Sequence, residues 1–173
     1  MYETENDNKK IKYYSKNDNF SVVFPNEPDV KTLNYGIADT ESSVTSYMSS
    51  DGYIIYFVAI NKLGASLEND EDRKTYVDNL LYGIGQAYEN FGLIYQKDIE
   101  YRSFPAIEYK FKYKFKNVAM FQRGVYFLRN SNELIKIALA YPPSDEEKYR
   151  EKYIEFIDSL ELKINEGMEE IEM

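Results

Sequence analysis

Hydrophobic and polar positions between Ala106 and Tyr141 predict three neighbouring strands. Tyr109, Phe111, Tyr113 and Phe115 alternate with Lys110, Lys112, Lys114 and Lys116. Only a period of two gathers all four rings on one face, so this arm should pack its rings inward and hold its lysines in solvent. Residues 125–128 and 134–140 flank Asn130-Ser131-Asn132, residue types that tolerate turn conformations, and so predict a hairpin. Residues 134–140 are apolar at nearly every position, as are residues 53–60. A strand of that kind needs cover on both faces. The two runs therefore predict the interior of a sheet, with Ile55, Phe57, Ile135, Ile137 and Leu139 almost inaccessible and helices on both sides.

The same reading extends along the chain. Residues 11–15 and 20–24 bracket Lys16-Asn17-Asp18-Asn19 and predict a first hairpin, which Pro25 and Pro28 stop. Residues 30–35 form a weaker strand. Residues 41–49 and 53–60 flank Ser50-Asp51-Gly52, where Asp-Gly suits a tight turn. From Asp70 the period changes: Tyr76, Val77, Leu80, Leu81, Ile84, Tyr88 and Phe91 trace one helical stripe. Acidic residues from Glu68 to Asp72 favour the positive end of its dipole, Gly92 suits its C-terminal cap, and Gly83 with Gly85 suggests close packing on the sheet. Strands over 93–101 and 104–115 follow, joined by Arg102-Ser103. After Pro142-Pro143, Ser144 and Glu147 make a capping-box pattern, and Tyr149, Tyr153, Phe156, Ile157 and Leu160 give a second helix its stripe. Residues 159–164 alternate and predict a short strand at a sheet edge.

The expected architecture is thus α+β: a single three-layer α/β/α sandwich. Its mainly antiparallel sheet has about six or more strands, and its two principal helices span about 70–91 and 145–160. Residues 1–10 read as a polar tether, 11–164 as one domain, and 165–173 as an acidic tail. A chain of 173 residues, 43% hydrophobic, suffices for one core and is short for two. No run approaches the length of a membrane span, and the first ten residues hold no apolar block.

Composition narrows the chemistry. There is no cysteine and no histidine, which excludes disulfides, thiolate metal ligands and imidazole-based triads or zinc sites. A net charge of −9 disfavours nucleic acid and anionic membrane as partners. The 18 tyrosines are the unusual feature, because tyrosine joins a large apolar body to a polar tip and suits binding surfaces.

Three constellations compete with plainer roles. Lys110, Lys112, Lys114 and Lys116 could contact an anionic partner, although lysines on an exposed strand also serve to prevent edge-to-edge pairing. Glu68-Asn69-Asp70-Glu71-Asp72 lacks the spaced ligands of a calcium loop and reads as a charged helix start. The 30 carboxylates admit an acid/base pair that sequence cannot select. No catalytic, cofactor-binding or metal-ligating residue is assigned, and no cofactor is expected.

The segment FSVVFPNEP, the long helix after the first hairpins, and the run RGVYFLRNSNELIKIALAYPPSDEEKYREKYIEFIDSLEL resemble the PsbP-like superfamily, which includes a Ran-binding import factor and bacterial lipoproteins. The likeness covers residues 11–164 and rests on element order and loose patterns. It implies an antiparallel sheet of about six strands between helical layers, in proteins that mostly bind other proteins or assist assembly. No functional residue carries over by position. The expectation is a non-enzymatic binding or assembly module whose partner is another protein, the soluble body of a bacterial cell-envelope protein or lipoprotein. In that reading the polar start follows a cleaved or lipid-anchored leader. The alternative is a cytoplasmic adaptor or chaperone sheltering a hydrophobic segment of a secreted client, and the third reading is a carboxylate-based enzyme.

Overall fold

A computed structural model describes residues 10–37, 40–144 and 146–163. Its largest unit is a seven-stranded antiparallel sheet in the order β3-β4-β5-β9-β8-β7-β6. The strands are β3 (Asp29–Ile37), β4 (Thr40–Asp51), β5 (Ile54–Lys62), β6 (Glu89–Tyr101), β7 (Phe104–Phe115), β8 (Val118–Asn130) and β9 (Glu133–Tyr141). The first hairpin, β1 (Ile11–Ser15) and β2 (Phe20–Phe24), belongs to a second sheet of three strands, closed by β10 (Glu161–Leu162) against β2. Among the described residues ten strands divide into sheets of seven and three, where about six or more were expected in a single sheet. The closing strand edges the small sheet and not the large one; Ile164, also assigned to it, lies outside the described residues.

The doubly apolar run on β9 sits in the middle of the large sheet, between β5 and β8. Ile135, Ile137 and Leu139 are fully buried on the front face, where β1, β2 and helix α2 (Glu146–Asp158) lie over them. Phe156 of α2 is the keystone there, its ring 4.9 Å from Tyr56 and 5.7 Å from Phe24. Leu134, Ala138 and Ala140 face the back, towards helix α1 (Asp70–Ala87). One sequence therefore feeds two cores, which is why it carries almost no polar position.

Strand β5 departs from the expectation. Its front residues Tyr56, Val58 and Ile60 are buried, but Ile55 and Phe57 on the back are only half-buried. The cause is width. Seven strands at about 4.8 Å spacing span about 29 Å, whereas one helix covers about 10 Å. Helix α1 lies on the β6–β7 side: its Lys74 pairs with Asp98 at 2.8 Å and its Asp78 accepts from Gln96 at 2.7 Å, while Val77 and Leu81 pack with Ile107, Tyr109 and Phe111. The back of β3, β4 and β5 is left largely uncovered as a wing, bridged to the helix where Tyr76 of α1 meets Tyr35 of β3 at 3.3 Å.

Helix α1 also ends earlier than its stripe suggests. Asn69 caps its start by accepting the Asp72 amide at 2.8 Å. Tyr88 is extended and Asn90 takes a positive φ of 54°, so the chain turns at once into β6. Gly92 is consequently a strand residue and not a cap. Phe91 keeps its place against the helix by folding back onto Gly85, where an added Cβ would stand 2.9 Å from the ring. Gly83 has no such neighbour and no packing reason for being glycine. The β4–β5 turn is Gly52-Tyr53, with Gly52 at φ 59°. Lys116-Asn117, joining β7 to β8, has positive φ at both positions, as tight two-residue hairpins demand.

Candidate functional site

The lysine stripe does not act as a unit. Strand β7 sends Lys110, Lys112 and Lys114 to the front face, next to the region α2 covers, but only Lys112 and Lys114 reach solvent. Lys110 keeps 12% of its side chain exposed, pairs with Glu146 of α2 and lies 4.6 Å from the Phe121 ring centroid. Desolvation, and then the neighbouring Arg123, hold its pKa below the usual lysine value. Lys116 has left the strand for the turn. The rings follow the pattern for Tyr109, Phe111 and Tyr113, which are buried, whereas Phe115 is 40% exposed because the back cover stops short of the hairpin tip. Two expectations are thereby corrected: Lys110 is not a solvent lysine, and Phe115 does not pack inward.

These placements set an expected outcome. Glutamate at Lys112, Lys114 and Lys116 together should leave the denaturation midpoint within about 0.5 kcal/mol of the parent, since exposed charges contribute little. Adding Lys110→Glu should cost about 1–2 kcal/mol more, because it sets a carboxylate beside Glu146 in a half-buried site. Urea titration of the triple and quadruple variants checks both.

Next to Lys110 stands a polar cluster centred on Glu108. Glu108, 8% exposed, accepts from Tyr95 at 3.1 Å and from Tyr153 of α2 at 3.2 Å. It also meets Arg123 at 3.3 Å and Lys97 at 3.2 Å. Burial pushes its pKa up, but Arg123, then the bonds from Lys97 and Tyr95, outweigh that and hold it below the usual carboxylate value. Arg123 is also stacked on Tyr153, 4.2 Å from the ring centroid, and burial raises Tyr95 to about 12. The other buried carboxylate, Asp18, pairs with Lys62 at 2.9 Å and accepts from Tyr47. Among the described residues each buried acid is thus paired with a cation, an arrangement suited to holding elements together.

The back face carries the more open chemistry. On the wing, Leu33 is 65% and Met48 39% exposed, with Val44, Ile55 and Phe57 half-buried beside them. At its upper end the tips of the β4–β5 and β7–β8 hairpins enclose a hollow of about 250 Å³ lined by Tyr53, Ile55, Phe115, Val118 and Met120. Among the described tyrosines, only Tyr53 and Tyr82 are mostly exposed, and eight are buried. Most of the tyrosine excess therefore fills cores, often with a bonded hydroxyl, as where Tyr101 donates to the Ile157 carbonyl at 2.7 Å. The sequence reading missed Leu33, Met48 and Lys136. Lys136 had a visible signal, being the lone charge within a run otherwise apolar from Leu134 to Tyr141.

Fold and faces together place the chain in a class. It has the PsbP-like fold, an α+β arrangement of a mostly antiparallel sheet with helices on both sides. The solution structure of cyanobacterial PsbP from Synechocystis sp. PCC 6803 superposes with a TM-score of 0.63, covering 94% of this chain and 98% of that one at 10% identity. A protein of unknown function from Pseudomonas aeruginosa aligns over 83% of this chain and 90% of its own, with a TM-score of 0.46 and 13% identity. No protein-family profile and no curated protein matches the sequence.

Proposed function

We propose that this protein is a non-catalytic binding module that holds another protein against the open wing of its large sheet. The observation that carries the reading is the exposure of Leu33 and Met48 on the back of β3–β5, with Val44, Ile55 and Phe57 half-buried on the same face. Large apolar side chains exposed together on one sheet face mark contact sites. The lack of histidine and cysteine, and the engagement of Asp18 and Glu108 in ion pairs, support a role without catalysis. Our reading of its setting is extracytoplasmic, as the body of a cell-envelope protein or lipoprotein.

The test is site-specific photo-crosslinking in the native host from Leu33 and Met48, with Ile154 on the outer side of α2 as control. One discrete adduct from both wing positions and none from Ile154 is the expected result. Leu33→Lys with Met48→Lys should then abolish the adduct while leaving thermal unfolding unchanged. Crosslinks scattered equally over wing and control would overturn the reading. The same apolar wing favours a second reading, a cytoplasmic adaptor that shelters a hydrophobic segment of a client; recovery of the protein in the cytoplasmic fraction, joined to such a segment, would select it.

A further inference from the structure

On the floor of the wing, at its inner margin, lies a cation with no counter-ion among the described residues. Lys136 projects from β9 to the back face, between Ala59 of β5 and Tyr126 of β8. Its ammonium stands 5.7 Å from the ring centroids of Phe57 and Tyr126 and 5.9 Å from that of Tyr109, near the outer limit of useful cation–π contact. Among the described residues no carboxylate pairs with it and no acceptor is bonded to it. Three acids on that face have other partners: Asp29 pairs with Lys31, Asp98 with Lys74, and Asp78 accepts from Gln96. Tyr35 and Tyr76 bond to each other at 3.3 Å. A desolvated charge without a partner is unfavourable, and the three N–H donors of Lys136 invite an acceptor from outside the chain.

The surroundings indicate the shape of that acceptor. The register lines up Lys136, Ala59, Ser46 and Lys31 across β9, β5, β4 and β3. Ala59 and Ser46 are small, so they floor a trough between larger neighbours. Phe57 and Met48 rise on one side of it, Val44 and Leu33 on the other. All of these floor and wall residues are half-buried or exposed. Three strand spacings of about 4.8 Å make the trough about 14 Å long, the reach of a medium-length alkyl chain. From this geometry we infer that the trough binds a linear amphiphile with a single carboxylate head, the head paired with Lys136 and the chain laid across Ala59 and Ser46. Desolvation lowers Lys136 to about 8, which still leaves the amine mostly charged at neutral pH and able to pair. The site goes beyond the protein-binding reading, because it requires no protein partner.

Laurate, below its aggregating concentration, is the probe. Titration followed by amide and side-chain NMR should show saturable one-to-one binding, with shifts centred on Lys136, Ala59, Ser46 and Phe57. Lys136→Met should weaken it roughly tenfold or more, while Lys136→Arg keeps it within about threefold. Ala59→Leu, which retains the amine and fills the floor, should also abolish it, so the result does not depend on one variant. Dodecyltrimethylammonium should bind at least about tenfold more weakly. Equal affinity for Lys136→Met, equal binding of the cationic probe, shifts confined to the hollow between the hairpin tips, or no saturable binding would each overturn the inference. A failed crosslink with intact laurate binding would sink only the protein-partner reading, and the reverse would sink only this one.

Discussion

Replacing Ile137 by aspartate will unfold the protein at room temperature. Ile137 is fully buried at the centre of the front core, between Val58 of β5 and Val125 of β8. Removing its side chain from that contact costs about 2–5 kcal/mol, and an unpaired carboxylate in the same place adds several more. The sum reaches the whole stability of a typical domain, about 5–15 kcal/mol. Both strand partners of the new acid are valines, and Arg123, opposite Leu139 on the same face, is already paired with Glu108. Circular dichroism should show loss of the cooperative thermal transition. Ile137→Val, which removes one methylene without adding charge, should retain it with a loss of about 1 kcal/mol. A cooperative transition for Ile137→Asp near the parent temperature would mean that β9 is not the buried centre of the sheet.

That prediction was readable from sequence, because a run apolar on both parities has only one favourable place, the interior of a covered sheet. The companion expectation for β5 held for one parity alone. Its residues Ile55 and Phe57 are at least as apolar as Ala140 and Ala138, their register partners on β9, yet their cover depends on where α1 docks. Docking position is set by contacts such as Val77 with Ile107, which no local period announces. The end of α1 shows another limit. Phe91 satisfies both the helical stripe and the first turn of a strand, and the decision falls to Asn90, which adopts a left-handed conformation. Lys110 illustrates the same point for the candidate site: its parity was legible, but its partner Glu146 lies 36 positions away on another element. Tyrosine abundance signalled something real, and only the packed structure could divide core tyrosines from exposed ones. The separate small sheet went unseen because hairpin β1–β2 looks the same whichever sheet it joins.

The second large effect concerns Glu108, where Glu108→Gln should destabilise the protein by about 2–3 kcal/mol at neutral pH. The loss is not mainly that of one attraction. It is the cost of leaving Arg123 half-buried without its anion, with its Nε already lacking a partner, while Tyr95 and Tyr153 lose the charged acceptor for their hydroxyls. The figure sits below the usual 3–5 kcal/mol for a broken buried pair because Lys97 and part of Arg123 still meet water. Acid should reveal the same network. Folding holds the Glu108 pKa below its ordinary value of 4.5, so the unfolded chain takes up the proton first as pH falls. The stabilisation is therefore complete above about that pH and disappears as pH drops through the lower folded value. Urea midpoints of parent and Glu108→Gln should differ fully at pH 7 and converge as pH falls below 4.5. The double variant Glu108→Leu with Arg123→Met, which removes both charges and keeps apolar volume, should recover most of the lost stability. A gap that stays constant across this pH range, or a double variant no better than Glu108→Gln, would show that Glu108 acts through packing and not through its charge.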